Sequence, residues 1–476
     1  MNVFFNEIIY FFKNHGITFI FIIVIFIFCG IFSQYWQFWL IFGIILYLLL
    51  LIYFSKAFRN LLNIHSIAIS LIVFYALPSI VLILLDEFPL NSDERLTVFS
   101  AISVGLIGYT SGVLFFKFLF PVRWKEKTIL SNKLNAMFWL SYQYRYLLSV
   151  IAILVFYFFG FMPMSMSYSE SVIYRLETPG VILYFNSLMP TVFSITIVSM
   201  ISIIGDVRRY GKLSLLSYSL IILSFFSVIG GHRGLLIYLF ACLMLVFQQY
   251  LKRRYIIILG VLSIALILVI SGFVRYSRSG GTLINNFNLM YEYLFNVSSL
   301  TSLFWGLDDF TGPFSIFITL VQNIPQNIPF DYTAYIKDLS LWIPTVIYSD
   351  RPLPYSMWYV KIFDPETFAM GGGFTFYVLG FGYLFAGQIG VLIHLFLYGY
   401  LFQWINKFFK MIGGDAGILL YGYFIVQLIG FVVGSGFFVF IKASLILSTF
   451  MPIALTFLFV TIINIFTKKL LVHTSS

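Results

Sequence analysis

Long apolar runs dominate the chain, and each is long enough to cross a lipid bilayer as a helix. A crossing needs about 20 mostly apolar residues, because the hydrocarbon core is about 30 Å thick and a helix rises about 1.5 Å per residue. Twelve runs qualify, at roughly 17–34, 36–54, 62–85, 96–120, 145–162, 180–204, 213–230, 233–250, 255–273, 376–404, 416–440 and 442–466. Apart from Lys117, near one end of the fourth, none carries an interior charge. None alternates apolar and polar residues with period two, as barrel strands do. The expected fold is therefore all-α: a polytopic membrane protein with about twelve transmembrane helices. Composition closes off the other classes. Only 10% of residues are charged and 61% are hydrophobic, whereas soluble domains carry about a quarter charged, and one soluble core stops growing near 250–300 residues.

The net charge of +10 would suggest nucleic acid in a soluble protein, but here the cations sit in short loops between spans. Counted loop by loop, one side holds 18 cations against the acids Glu7, Glu126, Asp206 and Asp415; the other holds nine cations and 14 acids. The positive-inside rule makes the basic side cytoplasmic and places both termini there. The N-terminal stretch lacks a small-residue cleavage pattern, so the first span is expected to remain. Cys29 and Cys242 lie inside apolar runs and read as small buried side chains.

The chain divides into nine spans over 1–273, a long outer segment at 274–375, and three spans with a cytoplasmic end over 376–476. The outer segment contains Pro313, Pro325, Pro329, Pro344, Pro352, Pro354 and Pro365 and most of the outer acids. A loop this long is uncommon without structure or function. Its Tyr, Trp and Phe content predicts short amphipathic helices at the membrane surface. Ionisable groups within spans mark transporters, and this chain has almost none. His65 and His394 read as satisfied core histidines.

Chemistry is therefore expected at the outer face, where four short sequences stand out. Gly230-Gly231-His232-Arg233-Gly234 is a tight hairpin between two spans. Arg233 reads either as a snorkelling tip or as a functional cation, and its place on the acidic side favours function. Arg275 and Arg278 emerge three residues apart from the ninth span and share a face if the helix continues; interfacial anchors or phosphate-binding forks both fit. Arg351 lies in Ser349-Asp350-Arg351-Pro352, preceded by Trp342-Ile343-Pro344, where prolines constrain the backbone. Gly371-Gly372-Gly373 precedes Gly380, Gly382, Gly387 and Gly390, a spacing whose default meaning is close helix packing. There is no P-loop, HExxH or GxSxG, and the outer carboxylates Asp308, Asp309, Glu292 and Asp331 do not form a recognised metal set. No metal and no cofactor are expected.

These features together resemble the Wzy-type O-antigen polymerases. The likeness covers roughly 230–400: the Gly-His-Arg-Gly hairpin, the arginines after the next span, and the run from Trp342-Ile343-Pro344 through Ser349-Asp350-Arg351-Pro352 to Gly371-Gly372-Gly373. It continues through Phe381-Gly382-Tyr383 and Ala386-Gly387-Gln388-Ile389-Gly390. One position departs, since Phe381 stands where many members of that family have Glu. The resemblance implies the fold of helical glycosyltransferases that use lipid-phosphate donors. It also implies transfer of a growing glycan from undecaprenyl diphosphate to a new undecaprenyl-diphosphate-linked oligosaccharide, with a separate chain-length co-polymerase as partner. The substrates would be lipid-linked glycans and membrane lipid, with no nucleic acid.

On that reading Arg233, Arg275, Arg278 and Arg351 stabilise the diphosphate leaving group. His232, Glu292 or Asp331 accepts the hydroxyl proton, and Trp305 and Tyr332 stack on sugars. A ligase that transfers glycan to lipid A, and a flippase or solute transporter, are the rival readings. The transporter predicts polar residues along the spans, which the sequence lacks.

Overall fold

A computed structural model describes residues 35–54, 63–120, 129–155, 195–229, 312–343, 347–369, 374–434 and 436–474. Among these residues the structure is all-helical. The helices are α1 (Trp36–Phe54), α2 (Ile64–Leu84), α3 (Ser92–Leu119), α4 (Ile129–Gln143), α5 (Arg145–Val155), α6 (Ile195–Tyr210) and α7 (Leu215–Ile229). There follow α8 (312–323), then α9 (Ala334–Ser340), α10 (Tyr355–Phe363), α11 (Pro365–Ala369), α12 (Val378–Ile412) and α13 (Gly414–Val432). The last are α14 (Phe437–Phe440), which passes through a π-helical stretch at Ile441–Phe450 into α15 (Met451–Thr474). Among the described residues six helices are long and apolar enough to cross a membrane, or seven if the bent pair α4 and α5 counts as one. The chain thus has the character of a polytopic membrane protein. The runs expected at 17–34, 233–250 and 255–273 lie outside the described residues.

The fold consists of two compact units, each assembled from separated stretches of sequence. The first comprises Met1–Trp124, Phe310–Phe408 and Leu428–Ile441. At its centre is α3, whose start is written into the sequence: Asn91 accepts from the Glu94 N–H while the Glu94 carboxylate accepts from the Asn91 N–H, both at 2.9 Å. This reciprocal box satisfies two of the donors that every helix start leaves open. Along α3, Gly108 and Gly112 lie directly against the backbone of α12 at Leu392 and Phe396, and Gly399 of α12 lies against Tyr109. Close approach of this kind drives helix association in lipid, where burying apolar surface gains little. By contrast α1 buries a single stripe, Phe42, Gly43, Leu46, Leu50 and Phe54. It leaves Ile41, Ile44, Ile45, Leu48, Leu49 and Ile52 exposed, a surface suited to lipid tails.

Two buried polar side chains tie the helices of this unit together. His65 of α2 shares hydrogen bonds with Tyr109 Oη (2.9 Å) and Gln403 Oε1 (2.7 Å), so it is a satisfied core histidine that ties α2, α3 and α12 together. Tyr377 donates to the Ile72 carbonyl at 2.6 Å, and Phe314 and Phe317 of α8 pack on its ring.

The second unit comprises Lys125–Asp309, Phe409–Gln427 and Lys442–Ser476. Here α4 and α5 meet at a 75° bend. Asn135 of α4 accepts from the Ala416 N–H at 3.1 Å, capping α13 from outside its own sequence. Asp206 is fully buried and accepts from Tyr142 (2.6 Å), Ser217 (2.6 Å) and the Ser214 N–H (2.9 Å). Leu148, Ala152, Ile195, Val198, Leu220 and Val460 form its apolar core.

Two span boundaries differ from those read in the sequence. The run at 376–404 is not one straight helix: Ala386 (φ −159°, ψ 40°) and Gly387 (φ 60°, ψ −140°) interrupt α12. The legs on either side fold back, so that Gly382 lies against Gly390 and Val391. The run at 416–440 stops at Val432, and Phe437–Phe440 begins the next helix instead. Hydropathy cannot see either break, because the residues at both are as apolar as their neighbours.

Candidate functional site

Within the first unit, the described residues between Asp331 and Tyr355 pack along α12 and bring several polar side chains together. Asp331 begins this segment. Its N–H donates to the Leu384 carbonyl at 2.9 Å, fixing the loop to the first leg of α12. Its carboxylate then starts α9: Oδ1 accepts from the Thr333 hydroxyl (2.6 Å) and N–H (3.1 Å). Oδ2 accepts from Lys337 Nζ (2.8 Å) and Tyr355 Oη (2.9 Å). Burial pushes the Asp331 pKa up, but the hydrogen bonds from Lys337, Thr333 and Tyr355 outweigh it and hold the carboxyl below its usual range. Burial and the neighbouring Asp331 charge raise the Tyr355 hydroxyl well above its ordinary value, so it stays a proton donor.

An aromatic layer follows. Tyr335 Oη shares a hydrogen bond with His394 Nδ1 at 2.9 Å. Its ring meets Phe381 (5.2 Å) and Phe385 (4.9 Å) edge-on. Phe381 is 1% exposed and lies on His394 at 4.7 Å, with Tyr355 edge-on at 5.2 Å. Phe381 is thus enclosed by packed rings. His394 also contacts Tyr398 at 5.0 Å.

Below this layer Asp338 is completely buried. Its Oδ2 accepts from the Phe438 N–H at 2.6 Å, while Oδ1 has no hydrogen-bond partner among the described residues. Gly436 lies so close to this carboxylate that a Cβ there would strike it. The carbonyl of the same Phe438 accepts from Trp342 Nε1 at 2.9 Å. One residue of the 436–440 stretch is therefore held at both its backbone groups by this segment. Arg351 closes the arrangement: Nη1 donates to the carbonyls of Ile343 (3.0 Å) and Leu341 (3.4 Å). Its other guanidinium nitrogens have no partner among the described residues.

Of the residues expected from sequence, Asp331, Tyr332 and Arg351 fall in this segment. Asp331 and Arg351 are fixed by it, and Tyr332 is 70% exposed beside Phe330 and Phe385. Arg233, Arg275, Arg278, His232, Glu292 and Trp305 lie outside the described residues. Sequence reasoning passed over Tyr335, Lys337, Asp338 and Tyr355. A signal was there: Ala334, Asp338 and Leu341 recur at helical spacing and are buried together, which puts a carboxylate on the inward face of a short helix. Among the described residues, no group of three or more His, Cys, Asp or Glu could hold a metal ion. No protein-family model, curated protein or solved structure matches the chain.

Proposed function

We propose that the chain polymerises undecaprenyl-diphosphate-linked oligosaccharide repeat units at the outer face of a bacterial inner membrane, as the sequence resemblance implies. The observation that supports this best is the state of Arg351. Two backbone carbonyls hold one edge of its guanidinium and leave the rest open. A planar fork held this way suits phosphate oxygens.

In the proposed reaction, an acceptor sugar hydroxyl attacks the anomeric carbon of the growing glycan. The bond from that carbon to the diphosphate oxygen breaks, and undecaprenyl diphosphate leaves with the electron pair. Fixed cations aimed at the developing negative charge are the largest stabilising contribution available. Arg351 supplies one, with Arg233, Arg275 and Arg278 as further candidates. The hydroxyl proton needs an acceptor, and the donors crowded on Asp331 make it a weak base. His232 and Glu292 are the better candidates, and Asp331 is assigned to positioning Lys337 and Tyr355.

The deciding experiment is the lipopolysaccharide ladder of a deletion strain, complemented with the wild type or with Arg351→Lys. Loss of polymerase leaves a single repeat unit on the core, whereas loss of a ligase or flippase leaves the core bare. A bare core overturns the proposal.

A further inference from the structure

Two contacts mark off a bilayer-sized length of α12. Gln388 donates to the Thr97 carbonyl near the start of α3 (2.8 Å), and Lys407 donates to the Phe120 carbonyl at its end (2.7 Å). At about 1.5 Å per residue, α12 rises about 28 Å between them, close to the thickness of about 30 Å of a hydrocarbon core. Tyr398 lies about 15 Å along from Gln388, halfway down.

The segment thought to be an outer loop follows α12 to that depth. Asp331 bonds Leu384 at the top, and Tyr335 bonds His394 further down. Asp338 and Trp342 both bond Phe438, whose turn surrounds Tyr398: Phe437 at 5.1 Å, Phe440 at 5.4 Å, and Gly436 accepting from Tyr398 Oη at 3.3 Å. Arg351 holds the carbonyls next to Trp342. The chain then climbs back, since Tyr355 returns to Asp331.

The tip raises a problem of solvation. Ser349 and Asp350 are exposed, Arg351 is partly exposed, and the backbone from 347 to 354 forms no regular helix. Charges and unpaired backbone cannot face lipid tails at that depth; irregular backbone is tolerated there only against protein or water. We propose that residues 331–343 and 347–355 are the two arms of a re-entrant segment, and that residues 347–351 line a water-filled pocket reaching about half-way into the membrane. The buried Asp338 anchors its protein side, and Arg351 faces the water. The pocket follows from packing and solvation alone and stands apart from the reaction proposed above.

The test uses full-length protein in lipid nanodiscs, with Cys29→Ser and Cys242→Ser to remove native thiols. Spin labels at Ile343→Cys paired with Asp93→Cys, or with Phe120→Cys, measure the distance from the tip to each end of α3. All three sites are exposed. A re-entrant tip gives two distances within about 10 Å of each other. A loop lying wholly above the bilayer makes the distance to position 120 longer by about 28 Å, which overturns the proposal. In parallel, Ile347→Cys and Ser349→Cys react with a charged, membrane-impermeant methanethiosulfonate. Rates within about tenfold of the exposed Asp93→Cys are expected. Rates more than a hundredfold slower mean that lipid or protein covers the tip, and this also overturns the pocket.

Discussion

Replacing Gly387 with alanine tests the reversal within α12 on which the site depends. Gly387 has φ 60° and ψ −140°, a region that residues with a Cβ enter only at a cost of about 1–3 kcal/mol. The side chain itself would fit, because the nearest atom to a Cβ there is Phe330 Cζ at 3.4 Å. Backbone strain is thus the whole penalty. Gly390→Ala tests something else: its Cβ would run into the Gly382 carbonyl, so the two legs must separate. Overpacking of this kind costs about 1–3 kcal/mol or more, and it also shifts Phe381 on His394. Gly312, with open space around it, is the neutral control. Thermal midpoints in nanodiscs, read by tryptophan fluorescence, should rank wild type and Gly312→Ala together, Gly387→Ala lower, and Gly390→Ala lowest. Each kcal/mol is worth about 2–4 °C in domains of 150–250 residues. If Gly387→Ala unfolds within about 1 °C of the wild type, the reversal is not held in this backbone conformation and the reasoning fails.

Four further outcomes are expected. Asp331 has a lowered folded pKa, so its contribution is complete above the unfolded value near 3.9 and is lost as pH falls through the folded value. Asp331→Asn should therefore be less stable by about 1.5 kcal/mol at neutral pH, the low end because Lys337 is half exposed; the gap to wild type in thermal midpoint should close on acidification below about pH 4. Gly436→Ala should displace the Asp338 carboxylate and lower the thermal midpoint more than Gly312→Ala does, and equal midpoints would disprove the contact. Purified protein should elongate lipid-linked repeat units in excess EDTA, since arginines rather than a metal are assigned to the diphosphate; inhibition reversed by a divalent ion would sink that assignment. Arg233→Lys at matched abundance should shorten polymer chains in a complemented deletion strain, because Lys lacks the planar fork; long chains from both Lys and Ala variants would make Arg233 a mere anchor.

Hydropathy located α1, α2 and α3 nearly to the residue, because a membrane helix must be apolar along its whole length wherever it meets lipid. The start of α3 was also readable, from Asn91 and Glu94 three residues apart. Hydropathy failed where the chain reversed without becoming polar. Ala386-Gly387 and the turn around Gly434 and Gly436 interrupt apolar sequence, and only glycine marks them. Small residues were expected to pack helices closely. Gly382 and Gly390 do so, but between two legs of one interrupted helix.

The site was harder to read because it draws its depth from packing rather than from composition. A charge inside an apolar run announces itself, as Lys117 does near one end of the fourth run. Asp338 sits instead in a seven-residue helix of a proline-rich segment, between Lys337 and Leu339, and any sequence window there reads as solvated loop. What moves it inward is the pattern on its two faces. Ile336, Leu339 and Ile343 are exposed alongside Lys337, while Asp338 is buried with Ala334 and Leu341, so the exposed face carries large apolar side chains and the buried face a carboxylate. A short helix that turns its apolar residues outward and its carboxylate inward gains only if the outer surroundings are apolar and the inner ones supply donors. Phe438 supplies such a donor, and in the proposed re-entrant arrangement lipid beside α12 would supply the apolar surroundings. In a chain otherwise built of spans, exposed apolar residues around a buried carboxylate are what a loop dipping below the surface would show.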